Sequence, residues 1–367
     1  MMRLVTSRFD LENGPLWRAR LMPCGPADPY PVPHIKNQFP HQYILIFSFC
    51  HSTADGMITL MVFSLIMKFL QDFMKGVPID DGQLGKIVSH SHSEQIEKML
   101  MEDLKKDPER FDTLQRDLAD KQFKSLLDEA FGVPEVTHPT VESIHTVMDK
   151  STVDKFMRKC RNVGITFNSG FTCVINTALV ELVQEAGVVR DMYRVTSRHV
   201  IDERRYWGGD PFKDFGCHVG AMSHSMVTPH NIRQNFWEYA KVFGKEFREK
   251  LRGNYHFFER ILKARSLPKD FTYDSYYATP PPLLYDYLIS YMYNSNFSRI
   301  ELYDHLHLTD FRSYVLIHNC EYSNQHTILT LHDTFYEFTY STGRMTQETA
   351  QKFHDKVLTV LNDLANI

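Results

Sequence analysis

A chain of 367 residues, 43% hydrophobic and 13% aromatic, has enough apolar mass for a sizeable core, and its length favours two lobes over one. The formal net charge of −4 leaves no basic field of the kind that nucleic acid or an anionic membrane surface requires, so neither partner is expected. Six cysteines with no Cys-x-x-Cys pair, and a start without a charged-then-apolar signal pattern, fit a reducing, cytoplasmic setting.

In chain order, alternation predicts a strand over residues 16–22 with Trp17, Ala19 and Leu21 on one face. The continuous run Tyr43-Ile44-Leu45-Ile46-Phe47-Ser48-Phe49-Cys50 reads as a strand covered on both faces. Residues 56–73 form the most apolar run. Lys68, Gln71 and Asp72 interrupt it, and it reads as a buried helix too short to span a bilayer.

A charge-rich stretch over 93–131, with apolar residues at helical spacing, predicts a helical crossover that Gly132-Val133-Pro134 ends. A strand at 144–148 and a helix opening at Ser151 begin a second lobe, so the chain divides into 1–135 and 136–367. Helices are expected at 151–162 and 169–186, strands at 193–199 and 217–227, and one long helix over 233–265. Pro280-Pro281-Pro282 marks a loop. Strands are expected near 286–293, 312–319, 326–332 and 335–341, and residues 346–364 close the chain as an amphipathic helix. This α-and-β mixture lacks the βαβ rhythm of a doubly wound parallel sheet.

The segment His51-Ser52-Thr53-Ala54-Asp55-Gly56 is the strongest candidate for chemistry. With 18 histidines the spacing alone carries little, and His145-Thr146-Val147-Met148-Asp149 repeats it inside a plain strand pattern. Context separates the two, because at His51 a strand ends, small polar residues turn, Gly56 permits a tight backbone and an apolar helix starts. A neutral imidazole on such a mount can take a proton from a hydroxyl or amine near neutral pH. The carboxylate of Asp55 can face away from the ring, pairing with an arginine and capping backbone N–H groups. Ser52 and Thr53 are expected to bond the turn, since the Gly-x-Ser-x-Gly elbow of a serine hydrolase is missing. Cys50, adjacent to His51 on a strand, points to the other face and is a poor nucleophile for it.

The run Phe49 to Gly56 resembles the active-site motif of the coenzyme A-dependent acyltransferase superfamily, which includes chloramphenicol acetyltransferase, non-ribosomal peptide condensation domains and alcohol O-acetyltransferases. Other segments follow in the expected order. Leu11-Glu12-Asn13-Gly14-Pro15-Leu16-Trp17-Arg18 looks like the strand upstream of the motif, and Cys160-Arg161-Asn162-Val163-Gly164-Ile165-Thr166 like the helix-to-helix turn of the second lobe. Phe215-Gly216-Cys217-His218-Val219-Gly220 is similar to the Gly-x-x-Val strand, and Asn294-Ser295-Asn296-Phe297-Ser298 to the channel strand.

The resemblance implies an α/β fold of the α+β type: two lobes like those of chloramphenicol acetyltransferase, with mixed sheets, flanking helices and a tunnel between them. It implies His51 as general base, acyl-coenzyme A as co-substrate with no permanently bound cofactor, and a small alcohol as acceptor, with an amine second. Asp55 would pair with Arg198, with Arg204 as runner-up; Gly56 would support the turn, and Asn296 and Ser298 would line the tunnel. A monomer without a transmembrane segment is expected.

Three features depart from the family: Cys50 replaces a frequent histidine, Ser298 stands where glycine is usual, and the chain looks short ahead of Leu11. The last two favour a rival reading, a catalytically silent relative that keeps the fold as a binding or scaffold module. His90 and His92 lack a third ligand, so no metal is expected. Gly216 and Gly220 lack the third glycine and following helix of a dinucleotide site.

Overall fold

The computed structural model describes residues 9–25, 36–80, 82, 85–119, 123–210, 213–267, 270, 272, 281–293, 306–315, 317, 320–331 and 333–366. Strand β1 (Trp17–Pro23) pairs antiparallel with β2 (Tyr43–Phe49), and Cys50 extends the ladder by donating its N–H to the Leu16 carbonyl at 2.8 Å. Helix α1 (Gly56–Met74) follows the His51 turn at once. The dipeptide strand β3 (Lys86–Ile87) leads into the crossover, which is three helices and not one: α2 (Ser91–Lys106), α3 (Pro108–Ala119) and α4 (Leu126–Phe131).

Strand β4 (Val141–Met148) then opens the main sheet. Helix α5 (Lys150–Asn162) is capped by Asp149, whose carboxylate accepts the Thr152 N–H at 2.7 Å, so the cap lies two residues before the expected Ser151. A tight turn at Gly164, with φ of +75°, leads into helix α6 (Phe167–Glu185). Strand β5 (Met192–Asp202), a 3-10 turn at Glu203–Tyr206, β6 (Asp214–Phe215) and β7 (Val219–Pro229) come next.

The expected long helix is broken into α7 (Phe236–Arg252) and α8 (Tyr255–Ser266). The break falls at Gly253-Asn254, where Asn254 takes a left-handed φ of 59° that a continuous helix cannot hold. Strands β8 (Tyr287–Tyr293), β9 (Asn324–Thr330) and β10 (Thr334–Ser341) and helix α9 (Gln347–Asn366) complete the chain. No strand forms at residues 312–315 or 317; the rest of that expected strand lies outside the described residues.

The main sheet runs β4-β10-β9-β8-β5-β7 and is mixed, with β8 parallel to both β5 and β9 and the other pairs antiparallel. Its two faces pack differently because alternate residues point to opposite sides. Tyr336, Phe338 and Ile328 meet Phe171, Val174 and Ile175 of α6 and Phe353 and Val357 of α9 in the largest core. Phe335, Leu329 and Leu331 face the other way and pack with Ala54, Ile58, Leu60 and Met61, which seats the start of α1 on the sheet.

Two sequence readings need correction. Strand β2 is not covered on both faces: it belongs to a two-stranded ribbon, none of its residues is buried, and Tyr43 and Ile44 lie open. Likewise α1 buries only one side and leaves Leu70, Phe73 and Met74 exposed. At 19 residues it is also long and apolar enough to cross a membrane by length and composition, so shortness is no argument against a span. Its N-terminal turns, packed on the sheet, make it an integral helix of this fold.

Candidate active site

The His51 turn is built locally. Thr53 donates both its N–H (3.0 Å) and its hydroxyl (2.8 Å) to the Cys50 carbonyl, and Ser52 Oγ lies 3.0 Å from Cys50 Sγ. Small polar residues therefore close the turn while the His51 ring stays exposed. Gly56 lets the Met292 side chain of β8 lie close against the helix start, where a Cβ would force its sulfur to shift. The helix thus begins pressed against the sheet, directly behind the histidine.

Asp55 is buried and serves three donors. Its Oδ1 accepts the Ile58 N–H at 3.1 Å as the N-cap of α1, and its Oδ2 accepts Arg204 Nη1 at 2.7 Å and the His218 N–H at 2.9 Å. Arg204 is equally buried and spends its whole fork: Nη1 also reaches Asp202 Oδ1 at 3.2 Å, Nη2 donates to the Gly216 carbonyl at 2.8 Å and Nε to the Asp214 carbonyl at 3.3 Å. A buried ion pair is stable only when its remaining groups find partners, and here all three guanidinium nitrogens and both carboxylate oxygens are bonded. The carboxylate makes no hydrogen bond to the His51 ring and holds the turn.

The partner of Asp55 is therefore Arg204 and not Arg198. Arg198 lies mid-strand on β5 and bonds the Tyr285 hydroxyl at 2.6 Å and Glu259 Oε2 at 3.3 Å, with its guanidinium over the Tyr285 ring. Arg204 lies past the strand end, in the 3-10 turn that Asp202 caps by accepting the Arg204 N–H at 3.1 Å. Asn296 and Ser298, expected to line a tunnel, lie outside the described residues.

The second His-x-x-x-Asp match does different work. His145 on β4 sits between Asp310 Oδ1, 3.0 Å from Nε2, and Glu337 Oε2, 2.7 Å from Nδ1. Burial alone would lower its pKa, but the two carboxylates outweigh burial and raise it to about 9. An imidazole held protonated at neutral pH cannot act as a base, so His145 is an ion-pair residue and Asp149 a helix cap.

Several site neighbours are not evident from sequence. Gly216 holds a φ of +136°, and a Cβ there would stand 3.0 Å from the Val88 carbonyl oxygen and 2.8 Å from His218 Nε2. Gly220 lies against Glu203, which is fully buried and accepts from Ser93 Oγ at 2.7 Å and from Arg260 Nη1 at 2.6 Å. The two glycines are thus packing requirements behind the motif. Arg260 also pairs with Glu97, so the crossover helix α2 is tied to α8 beside the clamp. His90 packs against the His218 ring and His92 stacks on Trp207, giving both a structural place at the start of α2. Among the described residues no cluster of three or more His, Cys, Asp or Glu side chains is disposed to hold a metal ion. Cys217, between Gly216 and His218, has its sulfur 3.6 Å from His51 Nδ1.

No family model matches this chain, and no curated protein matches it in sequence. Solved structures do match in fold. The EpoB cyclization-docking bidomain from Sorangium cellulosum aligns with a TM-score of 0.61 at 11% identity, over 99% of this chain and 65% of its own. The condensation domain of the monacolin K polyketide synthase MokA aligns with a TM-score of 0.54 at 12% identity, over 89% of this chain and 70% of its own. PapA2 acyl transferase aligns with a TM-score of 0.51 at 14% identity, over 89% and 66%. The chain thus spans about two thirds of the length of these structures. Its mixed sheet and flanking helices have the two-lobed fold of condensation and acyltransferase domains.

Proposed function

We propose that this protein is an acyltransferase in which His51 is the general base, acting between a lobe of residues 1–135 and a lobe of residues 136–367. The observation that carries the proposal is an exposed imidazole on a turn locked from behind by the buried Asp55–Arg204 pair. In the reaction His51 takes the proton of an acceptor hydroxyl or amine, whose oxygen or nitrogen bonds to the thioester carbonyl carbon. The carbon–sulfur bond then breaks, and the leaving thiolate recovers the proton. Acyl-coenzyme A is the proposed donor and a small alcohol the preferred acceptor.

The test is thiol release from acetyl-coenzyme A with a panel of alcohols and amines, comparing wild type with His51→Ala. Acceptor-dependent release that falls by about 10²–10⁴-fold in the variant is expected for loss of a general base. Because His51 is exposed, the variant's unfolding midpoint should match wild type. The silent-scaffold reading has one observation in its favour, the two-stranded β1–β2 ribbon with its open apolar side chains. Equal background release from both folded proteins would favour it.

A further inference from the structure

A histidine acts as a base only through a ring nitrogen that carries a lone pair, and in the neutral ring the other nitrogen carries the proton. What bonds to one nitrogen therefore decides whether the other can work. Asp55 does not do this for His51: its oxygens bond Ile58, Arg204 and His218, and no hydrogen bond joins it to the ring. Nor does Cys50, whose sulfur lies against Ser52. Among the described residues, the hydrogen-bonding contact made by the His51 ring is with Cys217 Sγ, 3.6 Å from Nδ1.

The position of Cys217 is built. Arg204 Nη2 holds the Gly216 carbonyl on one side of it, and Asp55 Oδ2 holds the His218 N–H on the other. The backbone needs glycine at 216 to make the bend. The ion pair that anchors the His51 turn thus also anchors the sulfur facing its ring, so the two are set relative to each other by one clamp.

We propose that Cys217 is a positioning residue for His51, its sulfur accepting the Nδ1–H so that the ring is held in the tautomer whose Nε2 is free to take the acceptor's proton. The inference rests on the reading of His51 as a base and names what orients it. A sulfur suits the place because it orients the ring without charging it, whereas a carboxylate there would favour the imidazolium and remove the base. Burial, reinforced by the negative charge of Asp55, pushes the Cys217 thiol up to about 11. Cys217 is therefore a thiol at neutral pH, and a thiol is a poor nucleophile.

The test is nitrogen-15 NMR of histidine-labelled protein, with the His51 signals assigned by their loss in His51→Ala. The expected result is a wild-type ring protonated on Nδ1, a shift toward the Nε2–H tautomer in Cys217→Ala, and retention of the wild-type tautomer in Cys217→Ser, whose hydroxyl can also accept. In the thiol-release assay a hydrogen bond of ordinary strength implies a fall of about three- to tenfold in kcat for Cys217→Ala, with KM unchanged and recovery in Cys217→Ser. Cys217→Asp should move the acidic limb of the pH–rate profile to higher pH. A wild-type ring protonated on Nε2, or tautomer and rate both unaffected in Cys217→Ala, overturns the proposal. So does acyl-coenzyme A leaving an acyl group on Cys217 by mass spectrometry, since the cysteine would then be a nucleophile. Because the tautomer is read without turnover, failure of the base reading, seen as full activity in His51→Ala, is distinguishable from failure of the cysteine contact.

Discussion

His51 and His145 share one spacing and have opposite electrostatic surroundings. His51 is exposed, and no carboxylate is in hydrogen-bonding contact with its ring among the described residues, whereas His145 is wedged between Asp310 and Glu337. A histidine whose folded pKa is raised gives stability that is fully present below its unfolded pKa of about 6.5 and is lost as pH rises through the folded value of about 9. His145 should therefore contribute up to about 3 kcal/mol that disappears across that window. Urea unfolding at pH 6.5 and 9.5 measures it, and His145→Gln should be less stable at the lower pH and show a smaller loss between the two. Of the candidate residues, His51, Asp55 and Gly56 could be picked out from sequence because turn, cap and close packing leave local marks. The arginine could not be picked out the same way. Arg198 and Arg204 lie six positions apart, and which one reaches Asp55 depends on where β5 ends, a point set by its antiparallel pairing with β7.

At the scale of elements, the site is a junction of α1, the turn after β5, and the start of β7. Gly220 shows how tightly they are stacked: Glu203 cannot move aside for a Cβ without leaving Ser93 or Arg260. Gly220→Ala should cost about 1–3 kcal/mol through overpacking, read as a lower urea midpoint with an unchanged m-value. Element types followed sequence pattern well wherever the pattern was local, as in β1, α6, β10 and α9. The expected 233–265 helix failed at Gly253-Asn254, a breaker pair that was present to be read. The coverage of β2 could not be read, because an apolar run records what a strand could bury and not what is packed against it.

For the molecule as a whole, buried histidines set the acid limit. Burial lowers the pKa of His199 and His326 far below the ordinary value, and burial aided by Lys250 or Arg260 brings His224 and His256 to about 3. These depressed groups give stability that is complete above pH 6.5 and is lost as pH falls from there towards 3, each at up to about 1.4 kcal/mol per pH unit. Asp286 opposes them: burial raises its carboxyl to about 7 despite two backbone amide donors, so its contribution grows as pH falls and offsets one of the four. Net loss of stability between pH 7 and 5 is expected in urea titrations, and His224→Phe should reduce the slope.

The Asp55–Arg204 clamp has a consequence in time as well as in geometry. Its partners are separated by 149 residues of chain, and the bond from Asp55 to the His218 N–H spans 163. Contacts of such range close large loops and are entropically late in a folding chain. The turn bearing His51 has its local hydrogen bonds early, but it acquires a fixed orientation only when the second half of the protein has folded beneath it. The base role proposed for His51 is therefore one that only the finished molecule could support, and a nascent chain that has made only its first two hundred residues carries the motif without its clamp.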